Sequence, residues 1–272
     1  MHRSTPLALA SRLHQPHALR CEALGVLFAA ALGLTAPAAT ANPINETDLP
    51  AAVEASKAQL RRSWAADPVT ARLPFPRVEL LRPGVEVSEA CSPGAPAHQP
   101  APTAIYCANR DAVVLQHDLL TLAYRLHHAP AVSYWIAVGL AERVRPREPS
   151  LTPAASSLQV SCLAGVLLGA TGPAQSADAT VAAVKTAAKA YGDLFSAAVG
   201  TGPQRAYALL SGLGATSLDC HAAAMARLAA GEVPIPSDLG TRGPGSLGLE
   251  VSCRLPPACP RRFASMVGVG GV

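Results

Sequence analysis

The chain has 272 residues, of which 50% are hydrophobic and 4% aromatic, and its formal net charge is +4. This length and apolar content are sufficient for a domain with a hydrophobic core. The arginines are scattered along the chain and are not interleaved with aromatic residues, which is unlike a nucleic-acid-binding surface. We therefore expect no nucleic-acid partner.

The first 41 residues have the pattern of a secretory signal. Residues 2–20 are basic, residues 23–36 are apolar but too short for a membrane span, and residues 39–41 form a small-x-small cleavage site before Asn42. We expect export to the periplasm, cell envelope or medium. The alternative is an uncleaved signal, which would be the chain's only membrane contact, because no later segment approaches membrane-spanning length.

The cysteines support an oxidising compartment. Of the seven cysteines, only Cys21 lies in the signal, so an even number of six remains. An even count in an exported chain predicts disulfides, but the spacing does not select the pairs. For Cys162, in the middle of an apolar segment, a buried free thiol is the alternative. The six are Cys91, Cys107, Cys162, Cys220, Cys253 and Cys259.

The first predicted elements are a helix and a strand. Residues 49–66 are amphipathic, with an inner face of Val53, Leu60 and Trp64. Residues 77–81 predict a strand, and residues 85–87 extend it beyond a Pro-Gly turn. A Pro/Ala-rich loop follows at residues 92–102.

A second strand and a short helix come next. Residues 111–115 predict the strand, and residues 118–127 predict a helix with Leu119, Leu122 and Leu126 facing inward. His127 and His128 are adjacent, so on a helix they point about 100° apart and rarely share a metal ion. We interpret them as a helix end, where a cationic imidazole suits the helix dipole.

The most apolar part of the chain lies in two helices joined by a Pro-rich turn. They are predicted at residues 131–144 and 154–169, and the core should form around this pair. A long helix at residues 176–198 follows, with a buried stripe of Val181, Val184, Ala188, Tyr191, Leu194 and Phe195. Pro203 opens another helix, and residues 217–230 form the last.

The fold class expected from these elements is mainly α with a small β-sheet (α+β). The predicted divisions are a signal at 1–41, a helical segment at 42–76, a domain at 77–232 and a Pro/Gly-rich tail at 233–272. In the tail, Gly243, Gly245 and Gly248 match a dinucleotide-binding pattern only as letters, since no strand precedes them and no helix follows.

The central pair carries a family resemblance. The segment SLQVSCLAGVLLG, residues 157–169, resembles a signature of the bacterial neutral zinc metallopeptidases, Glu-Leu-Gln-Ala-Asp-Cys-x-Ala-Gly-Val. The segment YWIAVGLAERV, residues 134–144, stands where that family has its His-Glu-x-x-His helix. The resemblance implies a zincin-like helical core. The matching residues are Tyr134, Ile136, Ala137, Leu158, Gln159, Cys162, Ala164, Gly165 and Val166.

The residues that carry the family's chemistry are replaced. Val138 and Glu142 stand at the two zinc-binding histidines, Gly139 at the catalytic glutamate, Ser157 at the third ligand and Ser161 at the aspartate after it. A catalytic zinc ion needs three protein ligands, and the glutamate accepts a proton from zinc-bound water. The resemblance thus implies a homologue that has lost its zinc cofactor and is not an enzyme.

The residues also have a plain structural interpretation. Val138 belongs to the core of an apolar helix. Glu142 pairs with Arg143, Arg145 or Arg147 in a solvated charge cluster. The hydroxyls of Ser157 and Ser161 bond to backbone carbonyls.

The resemblance also implies disulfides and a binding edge. It pairs Cys91 with Cys107 and Cys162 with Cys220, which leaves Cys253 and Cys259 for a small loop. It makes the strand at residues 111–115 the edge where substrate lies, and residues 201–205 are similar to a Ser/Thr-x-x-Gln-Arg helix start in the family.

Three functions follow. The leading hypothesis is binding of a peptide or protein, by strand addition beside residues 112–116. The second is an active metallopeptidase with an atypical metal site, drawn from Glu142, His117, His127, His128 and His221. The third is a disulfide-stapled envelope protein unrelated to peptidases.

Overall fold

A computed structural model of the chain describes residues 48–91, 102–171, 176–192, 194–236 and Leu239. All of them belong to one compact unit, Asn42–Val272. The predicted signal, the loop at 92–101, the Cys253–Cys259 pair and the three tail glycines lie outside the described residues. Within them the fold is mainly helical with a small mixed sheet, so the predicted fold class is confirmed.

The elements follow one another in the order α-β-α-β-β and then helices. The strands are β1 Arg77–Leu80, β2 Ala104–Cys107 and β3 Ala112–Leu115. The helices are α1 Asp48–Ala66, α2 Val87–Cys91, α3 His117–His127, α4 Ala129–Val144, α5 Pro153–Thr171, α6 Ala177–Lys189, α7 Ser196–Val199, α8 Gly202–Gly212 and α9 Ala222–Ala229. Short 3₁₀ turns, Thr70–Arg72 and Ala108–Arg110, precede β1 and β3.

The core forms around α4 and α5, as predicted. In α4 every residue from 131 to 141 is buried, so this helix is enclosed on all sides. Helix α5 packs against α1, α4, α8 and α9. Helix α1 contributes the predicted inner residues Val53, Leu60 and Trp64 to the same core.

Helix α5 is apolar enough to meet a membrane-spanning criterion. Its segment Pro153–Ala170 has a mean hydropathy of 1.4, and 67% of that segment is buried inside the fold. We expected no segment after the signal to reach membrane-spanning length. By length and composition α5 does reach it, so this expectation is wrong. The burial is that of a core helix in a globular domain.

The sheet has the strand order β1-β3-β2, with β3 parallel to β1 and antiparallel to β2. Val113 and Leu115 of β3 face the main core, whereas Ala112 and Val114 face a smaller cluster under α2. Burial on both faces explains why the strand is a continuous apolar run. The expectation that this strand is a substrate edge is wrong, because both of its edges are already paired.

Three element predictions are wrong at their ends. Residue 87 begins α2 and does not extend a strand, since α2 covers the second face of the sheet. The long helix predicted at 176–198 stops after α6, and Gly192 with a φ of 65° lies in the break. Leu194 is consequently 94% exposed, not buried. The last helix starts only at α9.

Helix α3 is rotated relative to the predicted orientation. Leu122 and Leu126 are 56% and 61% exposed, whereas Leu120 is fully buried. The strand β2, which the sequence pattern did not predict, lies on the other side of β3 from β1.

Among the described residues, two disulfides join different elements of the fold. Cys91–Cys107 links α2 to β2 with a Cα–Cα distance of 5.3 Å, and Cys162–Cys220 links α5 to the segment before α9 at 5.5 Å. These are the two pairs that the resemblance implies. The alternative of a free Cys162 thiol is wrong, because Cys220 is its partner.

Helices α5 and α8 approach so closely that only glycine fits at their crossing. A Cβ atom at Gly165 would overlap the Leu209 carbonyl oxygen, and one at Gly212 would overlap the Cys162 carbonyl oxygen. These are backbone atoms, so the clash cannot be relieved by a side-chain rotation. Gly169, one turn further along α5, has ordinary space, with Leu213 Cδ2 at 3.5 Å.

Replacing Gly165 and replacing Gly169 by alanine should have opposite effects on stability. Gly165→Ala should lower stability by about 3 kcal/mol, or a melting temperature decrease of about 6–12 °C, because α5 and α8 must separate. Gly169→Ala should be neutral or stabilising by up to about 1 kcal/mol, since alanine favours helix. Thermal unfolding followed by circular dichroism measures both. Equal melting temperatures would contradict the close crossing.

Candidate functional site

The positions that the resemblance assigns to the motif lie on α4 and α5, which pack against each other along one interface. The Tyr134 hydroxyl shares a hydrogen bond with the Ser161 side chain across this interface. Val138 and Glu142 follow Tyr134 at four-residue intervals, and Ser157 precedes Ser161 by four, so each set occupies one face of its helix. The structure therefore places these positions on adjoining helices.

The side chains at these positions do not fit a zinc ion. Val138 is only 5% exposed and has no donor atom. Gly139 packs directly against β3, where a Cβ atom would overlap Val113 Cγ1 and lie 3.1 Å from Cγ2. One carboxylate and two hydroxyls remain, which is not the ligand set of a catalytic zinc.

The other candidate ligands are dispersed. His117 begins α3, with its Nδ1 atom 3.2 Å from Asp118 Oδ1, and His127 ends the same helix about 15 Å away. His221 precedes α9 at its N-cap. Across the described part of the chain, no group of three or more His, Cys, Asp or Glu residues could hold a metal ion.

The helix end predicted at His127 and His128 is confirmed, but the positive charge predicted there is not. His128, with a φ of 57°, ends α3 and starts α4. Burial, together with Lys185 and His128, holds the pKa of His127 below its usual value. Burial and a neighbouring cation both favour the neutral ring of His127 over the cationic imidazole that we expected at this helix end.

Glu142 closes an edge of the sheet. Its Oε2 atom accepts a hydrogen bond of 2.9 Å from the Tyr106 backbone N–H, which points away from β3 at the outer edge of β2. Burial raises the pKa of the Glu142 carboxyl to about 7, against the opposing effects of the Tyr106 N–H and the Arg145 charge. The predicted solvated cluster is wrong, since this carboxylate turns inward.

Arg143 makes a second link between α4 and the sheet. Its Nε and Nη2 atoms donate to Asp111 Oδ1 and Oδ2 at 2.7 and 3.0 Å, and its Nη1 donates to the Pro74 carbonyl at 2.8 Å. The Tyr106 hydroxyl also donates to Asp111 Oδ1 at 2.7 Å. The hydrogen bonds from Tyr106 and Arg143 lower the pKa of Asp111. No sequence pattern indicated this network, because α4 and the segment from Pro74 to Asp111 lie far apart along the chain.

Residues 201–205 anchor three helices. Thr201 and Gln204 form a capping box at the start of α8, and Gln204 Nε2 donates to the Leu228 carbonyl of α9 at 2.7 Å. Arg205 is completely buried and donates to the carbonyls of Ala187, Ala188 and Gly200. The first two carbonyls lie at the C-terminus of α6, where the helix dipole favours a cation. This motif is structural.

One edge of the sheet stays open among the described residues. Arg77 N–H donates to the Asp111 carbonyl and Leu81 N–H to the Leu115 carbonyl, at 3.1 and 3.0 Å. In a parallel pair, every second residue of a strand bonds to its partner, and the residues between them direct their N–H and C=O groups away from it. In β1 the residues that face away from β3 are Val78 and Leu80. No described strand pairs with this side of β1.

The chain matches no protein-family model, no curated protein and no solved structure. The chemistry that the site can perform follows from its own residues. They provide a closed helix–sheet junction at Gly139 and Glu142, and an open strand edge at β1.

Glu142 should make the protein less stable as the pH rises. A pKa raised from 4.5 to about 7 means that the folded protein holds this proton more tightly than the unfolded chain. The resulting stabilisation is complete below the unfolded pKa and is lost as the pH rises through 7. Glu142→Gln keeps an acceptor for Tyr106 N–H but does not ionise. Its stability relative to wild type should increase by about 2 kcal/mol between about pH 5 and about pH 8.

Melting curves at both pH values measure this difference. Glu148→Gln, at an exposed glutamate just beyond α4, is the matched control and should track wild type at both values. A pH-independent difference between Glu142→Gln and wild type would contradict the buried, protonated carboxyl.

The contact between Gly139 and Val113 should appear as an energetic coupling. Gly139→Ala should destabilise the protein by about 2 kcal/mol, because its methyl group overlaps a Val113 methyl. Val113→Ala removes that methyl, so the double variant should be more stable than the sum of the single changes by about 1–2 kcal/mol. A double-mutant cycle by urea unfolding measures the coupling, and strict additivity would argue against this packing.

Proposed function

We propose that this chain is an exported protein that binds an extended peptide or protein segment, on a metallopeptidase-like scaffold whose catalytic site is lost. The observation that carries the proposal is the packing of Gly139 against Val113. At the position of the family's catalytic glutamate, the helix lies directly on the sheet and leaves no room for a side chain. A binding role needs no such residue.

The residues that match the family's signature support the metallopeptidase-like scaffold in this proposal. Gln159 donates to the Cys220 carbonyl at 3.1 Å, and Cys162 forms its disulfide with the same residue. Gly165 permits the close crossing with α8, and Tyr134 bonds to Ser161. The matches therefore concentrate where α5 contacts its neighbours, which is where a shared scaffold would constrain sequence.

Export is supported by the disulfides. Cys91–Cys107 and Cys162–Cys220 would persist in the periplasm, the cell envelope or the medium but rarely in a reducing cytosol. This agrees with the signal pattern in the sequence before Asn42. The atypical metallopeptidase gains no support, because its candidate histidines lie apart on α3 and before α9.

The zinc content of the oxidised protein tests the proposal. We expect much less than one zinc ion per chain and a melting temperature that a chelator does not change, because Val138, Gly139 and Ser157 are not zinc ligands. A mixed peptide library should remain intact after incubation with the protein. Zinc near one per chain, a lower melting temperature with chelator, or chelator-sensitive cleavage would each refute the loss of the catalytic site.

A further inference from the structure

The sheet has two outer edges, β1 and β2, which differ in how their outward backbone groups are covered. At β2, α4 packs against the strand and Glu142 accepts the outward N–H of Tyr106. At β1, Val78 and Leu80 direct two N–H and two C=O groups outward, and both residues are partly exposed. An added strand can therefore form a regular backbone ladder with β1.

The N-terminal end of β1 is positively charged. Arg77 is 65% exposed and donates to the Arg110 carbonyl, and Arg110 forms an ion pair with Glu79. The Arg61 guanidinium lies 5.1 Å from the centre of the Phe75 ring, and Phe75 precedes the strand by two residues. Arg143 pairs with Asp111 in the turn beside Arg110. Arg110 and Arg143 are each paired with one carboxylate, Glu79 and Asp111, so the exposed Arg61 and Arg77 supply the excess positive charge at this end of the edge.

An apolar surface lies next to this charge. Leu73 is 41% exposed, and Phe75 is partly exposed beneath the Arg61 guanidinium. A backbone ladder gives affinity to any extended segment, so selectivity must come from neighbouring side chains. The excess of arginine favours acidic residues in the bound segment, and Leu73 favours an apolar residue beside them.

We propose that β1 binds an extended acidic peptide segment of a partner protein as a fourth strand of the sheet. The inference rests on the proposed peptide-binding function and names the site and the class of ligand. It moves the binding edge from β3, which is paired on both sides, to β1, whose outward backbone groups at Val78 and Leu80 pair with no described strand.

The first experiment selects peptides on the oxidised, exported protein from a random display library and measures the affinity of an enriched octapeptide by fluorescence anisotropy. Enriched sequences should be rich in Asp and Glu, and affinity should fall steeply with added salt. N-methylation at every second residue removes the peptide's own N–H groups on one side. One of the two alternating methylated versions should lose at least about tenfold in affinity, and the other should bind like the parent.

The second experiment changes the protein. Val78→Pro removes one outward N–H while leaving the bonds to β3, and proline is tolerated on edge strands. It should weaken binding of the enriched peptide about tenfold. Val78→Thr keeps the N–H and the branched shape and is the matched control, with affinity close to wild type. Melting temperatures establish that both variants are folded, and the N-methylated peptides give the answer if Val78→Pro is not.

The outcomes separate the two proposals. Enriched peptides that bind Val78→Pro as tightly as wild type, or that tolerate both methylation patterns, would overturn the β1 assignment while leaving peptide binding in place. Enriched peptides without acidic residues would overturn the class of ligand. A library that yields no binder would overturn this inference, whereas zinc binding and cleavage, measured separately, would overturn the proposed function.

Discussion

The close crossing of α5 and α8 is the constraint on which the rest of the fold depends. At Gly165 and Gly212 the two backbones are in direct contact, so the helices have one permitted distance. The Cys162–Cys220 disulfide and the hydrogen bond from Gln159 to the Cys220 carbonyl then fix the segment that leads into α9. Arg205, on α8, holds the C-terminus of α6 through its carbonyls. The helices α6, α8 and α9 are thereby positioned relative to α5.

The last turn of α4 transmits this arrangement to the sheet. Glu142 and Arg143 are consecutive, so their side chains leave the helix about 100° apart and reach different targets. Glu142 reaches the outer edge of β2, and Arg143 reaches Asp111 in the turn before β3. A buried carboxylate and a bidentate ion pair are costly groups to leave without partners, so together they select one orientation of the sheet. That orientation closes β2 and leaves β1 at the surface.

Hydrophobic periodicity was sufficient for the elements that bury a single clear face or a continuous apolar run. The helices α1, α4 and α5 and the strands β1 and β3 belong to this group. It failed at α3, where Leu119, Leu122 and Leu126 form as good a helical stripe as the one around Leu120 that is buried, and only packing against α4 and α6 decides between them. The interaction of Glu142 could not be predicted either, because its partner Tyr106 lies on a strand 36 residues earlier in the chain. The disulfide pairs came from the family resemblance, not from the spacing of the cysteines.

On the proposed function, the packing of Gly139 explains why the scaffold would bind a peptide without cleaving it. A zinc peptidase needs space between its motif helix and the sheet for a metal ion, a water molecule and the glutamate that activates it. Here Gly139 packs directly against Val113, and Leu115 and the α4 residues around Gly139 are buried. Restoring only the motif's histidine and glutamate at positions 138 and 139 would place both side chains inside a packed core. It would not separate α4 from the sheet. On the proposed function, the tight junction that removes the catalytic cleft is also what makes the sheet a rigid platform, so that the arginine-flanked edge of β1 can receive a strand without rearrangement of the core.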